Sequence, residues 1–257
     1  MAFFNKAKTS PSFNIIAIGR FFGLAFILIY TTAFAQQADI DQQYRQAKSL
    51  KEFDRILGEV QKFVEQDSSQ SEWQWRMARS HYSIAKRVED DDTAIHHYNM
   101  CIELSSRTLE IKPDSAIGYF FRALCRGKQG EMQGLWSSLG IIKPFEEDMK
   151  KALELDPSIQ SGGPNRALGK LYLELPFFLG GSTDLAISHL KEAARIGPDH
   201  PENHLGLAEA YYSKNNFTDA RKSLSTLLRL TNNVADDEVL LKLRSEGQEL
   251  MNKMASP

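Results

Sequence analysis

An all-α fold is predicted, a superhelix of antiparallel helical hairpins ended by a carboxy-terminal capping helix, and three observations predict it. Apolar residues recur at i, i+3, i+4 spacing, as from Leu50 to Val64 and from Phe145 to Leu155, whereas period-two alternation is nearly absent. A motif of about 34 residues returns along the chain, which fixes the architecture before any single element is placed. Prolines punctuate the motif in Lys112-Pro113-Asp114, Asp156-Pro157-Ser158 and Gly197-Pro198-Asp199, where a helix cannot continue. At 257 residues, 42% hydrophobic and 25% charged, the chain has ample material for an apolar core.

The elements follow in order. Residues 1–35 carry three bases, Lys6, Lys8 and Arg20, and no acid, then the apolar run from Phe21 to Tyr30 and the small-x-small triplet Ala33-Phe34-Ala35. This reads as a secretory signal peptide cleaved after Ala35. Retention by an uncleaved anchor is the alternative, although the uncharged stretch falls short of the roughly 20 apolar residues a helix needs to cross a bilayer. No cysteine follows the small residues, so lipidation is not expected there.

The helical domain is then 36–257, with hairpins at about 38–67, 72–114, 115–158, 164–199 and 201–232 and a cap at 234–254. In the first hairpin, Tyr44 is followed by Phe53, Leu57 and Val60. In the second, Trp75, Ala78-Arg79 and Tyr82 precede Ala94, Tyr98 and Cys101. The third pairs Tyr119 and Ala123 with Phe145, Met149 and Ala152 across an inserted loop from Gly127 to Pro144. The fourth pairs Leu168-Gly169 and Tyr172 with Ala186, Leu190 and Ala193 across a shorter insertion, Pro176 to Gly181. The fifth pairs Leu207-Ala208 and Tyr211 with Ala220, Leu224 and Leu227. The last segment, capped by Asp236 or Asp237, turns Val239, Leu240, Leu243, Leu250 and Met251 inward, and its polar outer face ends the stack soluble.

This alternation of large and small residues is the tetratricopeptide pattern. The run Ala167-Leu168-Gly169-Lys170-Leu171-Tyr172-Leu173-Glu174-Leu175-Pro176-Phe177-Phe178-Leu179-Gly180-Gly181, with Pro201-Glu202-Asn203-His204, resembles a bacterial group of secreted repeat proteins. That group includes the T component of tripartite ATP-independent periplasmic (TRAP) transporters. The resemblance implies a helical protein that docks a periplasmic solute-binding partner and can enclose a small ligand. Trp75-Arg76-Met77-Ala78-Arg79, Gly134-Leu135-Trp136, Ile142-Lys143-Pro144-Phe145-Glu146-Glu147-Asp148 and Lys151-Ala152-Leu153-Glu154-Leu155-Asp156-Pro157 are similar to the regulator of microtubule dynamics family, which implies the same fold.

Removal of 1–35 leaves 28 bases against 33 acids, so broad nucleic-acid binding, which needs clustered bases, is not expected, and neither is stable membrane insertion after cleavage. Cys101 and Cys125 lie within helical apolar patterns and read as buried free thiols, a bridge between neighbouring helices being the alternative. His96 and His97 point to different helix faces, and His200 and His204 lack a third ligand, so no metal is assigned. The glycines at 127, 130 and 134 follow no strand and precede no Gly-Lys-Ser/Thr, so they read as loop hinges and no cofactor is assigned. No nucleophile, base and orienter set stands out, and the chain is not expected to be an enzyme.

First helices of stacked hairpins line the inner face of such a superhelix, where extended ligands bind. The register places Trp73, Arg76, Phe120, Arg166, Lys170, Leu205 and Tyr212 on that groove, and Arg76, Arg166 and Lys170 together suit a carboxylate. Ordinary surface charge is the competing reading of each residue singly. Leu135, Trp136, Phe177 and Phe178 in the two insertions either cover the core or form a contact patch. The expected function is a non-enzymatic protein–protein interaction scaffold or adaptor of the cell envelope, exported to the periplasm or secreted, with a protein or peptide partner. The alternative is a T-component-like accessory of a TRAP-type transporter, with a solute-binding protein as partner and a small organic ligand.

Overall fold

The computed structural model describes residues 34–234 and 237–254, and the side chains of these except 135–139. The expected signal peptide lies almost wholly outside the described residues. The chain divides into two compact units, 1–45 and 46–257. Residues 34–46 are helical (α1) and fall almost entirely in the first unit. The second holds α2 (Leu50–Gln66), α3 (Ser71–Ala85), α4 (Asp91–Ile111), α5 (Ala116–Gln133), α6 (Leu135–Leu155), α7 (Ile159–Glu174), α8 (Thr183–Ile196), α9 (Pro201–Ser213), α10 (Phe217–Leu230) and α11 (Glu238–Lys253). No strand occurs among the described residues.

Short polar side chains start these helices by accepting from orphan amides of the first turn. Asp90 accepts from the Thr93 amide at 2.8 Å, and Asp237, which begins the capping helix, from those of Val239 and Leu240. From α2 onward each helix packs on the next, and α3, α5, α7, α9 and α11 also touch in succession, so the first helices of the hairpins form one inner row. The small residues of the repeat allow this close approach. Ala78, Ala123, Ala186, Ala193, Ala208 and Ala220 are fully buried, as are Leu168, Leu190, Leu224 and Leu227. At Gly169 a Cβ would stand 2.6 Å from the Leu190 side chain, so a larger residue would force α7 away from α8. Leu205, Ala208, Leu224 and Leu227 make a second core with Leu243, Leu250 and Met251 of α11.

Two expectations change. The segment from Gly127 to Pro144 is not a loop: α5 continues to Gln133, the chain reverses at Gly134 with φ +90°, and α6 begins at Leu135 with Pro144 inside it. Gly127 is no hinge but a contact point, because a Cβ there would lie 2.9 Å from the Phe145 ring. Cys101 and Cys125 are not free thiols. They form a disulfide that joins α4 to α5, with Cα atoms 6.2 Å apart. Ahead of the fourth hairpin, α7 opens with a left-handed turn at Gln160, Ser161 and Gly162 (φ +49°, +56° and +81°). Pro164 follows in the first regular turn, where its missing N–H costs nothing.

Candidate functional site

A cavity of about 220 Å³ opens between α3, α5, α7, α9 and α11 on the inner row. Tyr82, Phe120, Leu124, Leu205 and Leu243 give it apolar walls. Five cations line it, Lys86, Lys128, Arg166, Lys170 and Lys242, against two carboxylates, Glu202 and Glu246.

Glu202, in the first turn of α9, organises one end. Its carboxylate meets the Lys86 ammonium at 3.2 Å and Nε of Arg166 at 3.2 Å, so three hairpins converge on one side chain. Burial pushes the Glu202 carboxyl up, but Lys86 and Arg166 outweigh this and hold it well below the usual carboxylate range. Tyr82 and Glu202 hold the Lys86 ammonium above its ordinary value. Beside them, burial and the Arg166 charge depress His200 to about 4, so it is neutral at pH 7.

Arg166 also donates from Nη1 to Oδ1 of the fully buried Asn203 at 2.8 Å. Nδ2 of Asn203 donates in turn to the carbonyls of Ser161, Ala193 and Gly197 at 3.0, 2.9 and 2.8 Å. This one amide holds the left-handed turn of α7 against the end of α8, and so sets where Arg166 stands. Lys170, one turn further along α7, makes no ion pair among the described residues, and neither does Lys242. Glu174 and Glu209 lie nearby, with carboxyls raised by burial and drawn back partly by Lys170.

Of the residues expected on the groove, Phe120, Arg166, Lys170 and Leu205 come together at this cavity. Trp73, Arg76 and Tyr212 do not line it. Trp73 is buried and stacks on Phe63 at 4.2 Å, packing α3 on α2. The Arg76 guanidinium lies 4.1 Å over the Trp75 ring and pairs with Glu72 at 3.0 Å, which removes it from the expected carboxylate cluster. Tyr212 packs on Phe217 of α10 at 5.8 Å. The Leu135 and Trp136 side chains are outside those described. Phe177 and Phe178 stand on a short 3₁₀ turn, Phe177–Leu179, and are fully displayed to solvent. Sequence reasoning missed Lys86, Lys128, Lys242 and Glu202. Lys128 was within reach, because Phe120, Leu124 and Lys128 follow each other at i+4 on one face of α5.

The regulator of microtubule dynamics protein 1-3 family model matches residues 36–161, and a tetratricopeptide repeat model matches residues 178–244. Regulator of microtubule dynamics protein 1 of Bos taurus is 24% identical over 207 residues, which are 72% of this chain and 63% of the relative. The chain therefore spans less than two thirds of that relative's length. Among solved structures, a thermophilic TPR protein of Thermus thermophilus superposes with a TM-score of 0.61 at 18% identity, covering 83% of this chain and 95% of that one. MamA of Desulfovibrio magneticus matches at a TM-score of 0.49 and 11% identity over 79% of this chain and 97% of its own. Neither family model indicates an enzyme. Repeat, fold and family matches together give this chain a tetratricopeptide-like helical fold, with a tetratricopeptide repeat matched at residues 178–244 and similarity to the regulators of microtubule dynamics.

Proposed function

We propose that the chain is a non-enzymatic interaction scaffold of the cell envelope, which holds an acidic segment of a protein or peptide partner against its inner row of helices. The observation that carries this reading is the convergence of five cations on one cavity in a chain whose net charge is −2. Glu202 neutralises the buried end, and Lys170 and Lys242 stand ready at the open one. The basic, apolar and small order of residues 1–35 supports export, and a bridged cysteine pair suits an oxidising compartment.

A second reading, a T-component-like accessory of a TRAP-type transporter, is favoured by the volume of the cavity. At about 220 Å³ it lies below the usual range for drug-sized ligands but accepts a small organic acid. One titration separates the two. Fluorescence anisotropy with a labelled acidic peptide should give saturable binding that weakens with salt, and Lys170→Glu with Lys242→Glu should weaken it roughly tenfold or more, the worth of one charged contact. Binding that is indifferent to both reversals would overturn the site. Calorimetric binding of a short dicarboxylate by a chain that shows no affinity for the peptide would move the assignment to the accessory reading.

A further inference from the structure

The turn between α7 and α8 presents Phe177 and Phe178 at 92% and 82% exposure. It is not a slack loop. The Leu179 and Gly181 amides donate to the Pro176 carbonyl at 2.9 and 3.1 Å, the Gly180 amide donates to that of Phe177 at 3.0 Å, and Gly180 takes φ +93°. The Ser182 amide then donates to the Tyr172 carbonyl at 2.8 Å, which fastens the turn to the body of α7. Two large apolar rings are thus held away from the core that formed them, at a standing cost in exposed apolar surface.

Directly before the rings, Leu175 and Pro176 enter the wall of a second cavity, of about 420 Å³, between α5, α6 and α7. Ile141, Ile142, Phe145 and Leu171 complete its apolar lining. Projecting rings and an open apolar recess therefore occupy neighbouring stretches of one chain. We propose that the chain forms a two-fold dimer in which Phe177 and Phe178 of each copy fill the apolar cavity of the other.

Size, charge and area favour a second copy as the occupant. An apolar cavity of roughly 150 Å³ accommodates one benzene ring, so this one has room for two. Its lining also carries Lys128, already paired with Glu131 at 2.6 Å, and one further cation and carboxylate, Lys170 and Glu174. A two-fold axis can set each sign against the other, as a self-complementary interface requires. Aromatic side chains bury about 150–250 Å² each, so four rings and the walls they cover approach the roughly 1,200 Å² at the lower end of specific interfaces. The dimer is accordingly a weak one, of micromolar affinity.

Sedimentation velocity of the chain from low to high micromolar concentration tests this. The expected result is a reversible monomer–dimer shift. Phe177→Ser/Phe178→Ser should be monomeric throughout, with unchanged circular dichroism and melting temperature because both rings are exposed. Ile142→Glu, which charges the recess and leaves the rings in place, should also be monomeric. A wild type that stays monomeric overturns the proposal, as does a dimer that survives the serine pair. Phe-dependent binding to lipid vesicles by a monomeric chain would overturn it equally, and would assign the rings to a membrane surface.

Discussion

Asn203 concentrates more consequence than its size suggests. It is fully buried, and its two N–H donors serve three carbonyls while its oxygen receives Arg166. Removal takes one partner from each of these groups: the Ala193 and Gly197 carbonyls keep the Gly197 and His200 amides and Arg166 keeps Glu202, whereas the Ser161 carbonyl loses its Asn203 donor, and an unsatisfied buried group costs about 1–3 kcal/mol. Asn203→Ala should therefore lower stability by about 1–3 kcal/mol, read as a shift in the urea midpoint at pH 7. The backbone it supports is demanding in itself. Gly162 sits at φ +81° with the Ala193 backbone 2.9 Å from where a Cβ would be, and Gln160 and Ser161 hold left-handed angles without glycine's freedom. In the sequence, Ser161-Gly162-Gly163-Pro164 marks a turn but not its left-handed course, and Asn203 reads as an ordinary residue after a helix-starting proline.

At the scale of elements, the repeat was readable because its signal is local. Positions chosen by spacing alone, such as Leu168, Ala186, Leu190 and Ala193, are the fully buried ones. The third hairpin misled for a physical reason. Gly127, Gly130 and Pro144 are helix-weakening residues, yet tertiary packing of α5 on α6 outweighs propensity, and Gly127 is small because Phe145 leans on it. The cysteine pair was likewise undecidable from sequence, since a separation of 24 residues says nothing of distance until α4 packs on α5. Closing a loop of that length is worth about 3 kcal/mol in the chain-entropy account. Reductant should lower the thermal transition of the wild type accordingly, and leave that of Cys101→Ala/Cys125→Ala, already destabilised, where it is.

For the whole molecule, the inner row was legible where register decides it and not where curvature does. Phe120, Arg166, Lys170 and Leu205 follow from the repeat, whereas Lys86 and Lys242 reach the cavity only because the superhelix turns α3 and α11 toward α9. Curvature is the sum of many small packing angles, which no local spacing records. Buried titratable groups give the molecule a predictable acid response. His81, buried and with its Nδ1 2.8 Å from that of His97, is depressed to about 4 by burial and by its histidine neighbours His97 and His96. A base depressed in the folded state is neutral there while the unfolded chain protonates, so its stability is present above the unfolded value near 6.5 and lost as the pH falls toward 4. At pH 5 this amounts to about 2 kcal/mol for His81, and less for the half-buried His200, where solvent screens. Glu202 acts in the same direction at lower pH, its carboxyl being depressed, whereas Glu174 and Glu209, raised by burial, partly oppose it. Chemical denaturation at pH 8, 7, 6 and 5 should show a level plateau to 7 and then a decline, which His81→Gln reduces.

The ion pair of Lys86 with Glu202 joins residues 116 positions apart, from the end of α3 to the start of α9. A stack of repeats is ordinarily a one-dimensional chain, in which each unit senses only its neighbours and can melt from an end. A bond that skips two hairpins adds a term that such a chain lacks. The pair ties α3 directly to α9, so fraying that reaches α9 also breaks a contact of α3. The middle of the stack is therefore coupled beyond its nearest neighbours, and the shape of its cavity depends on that link.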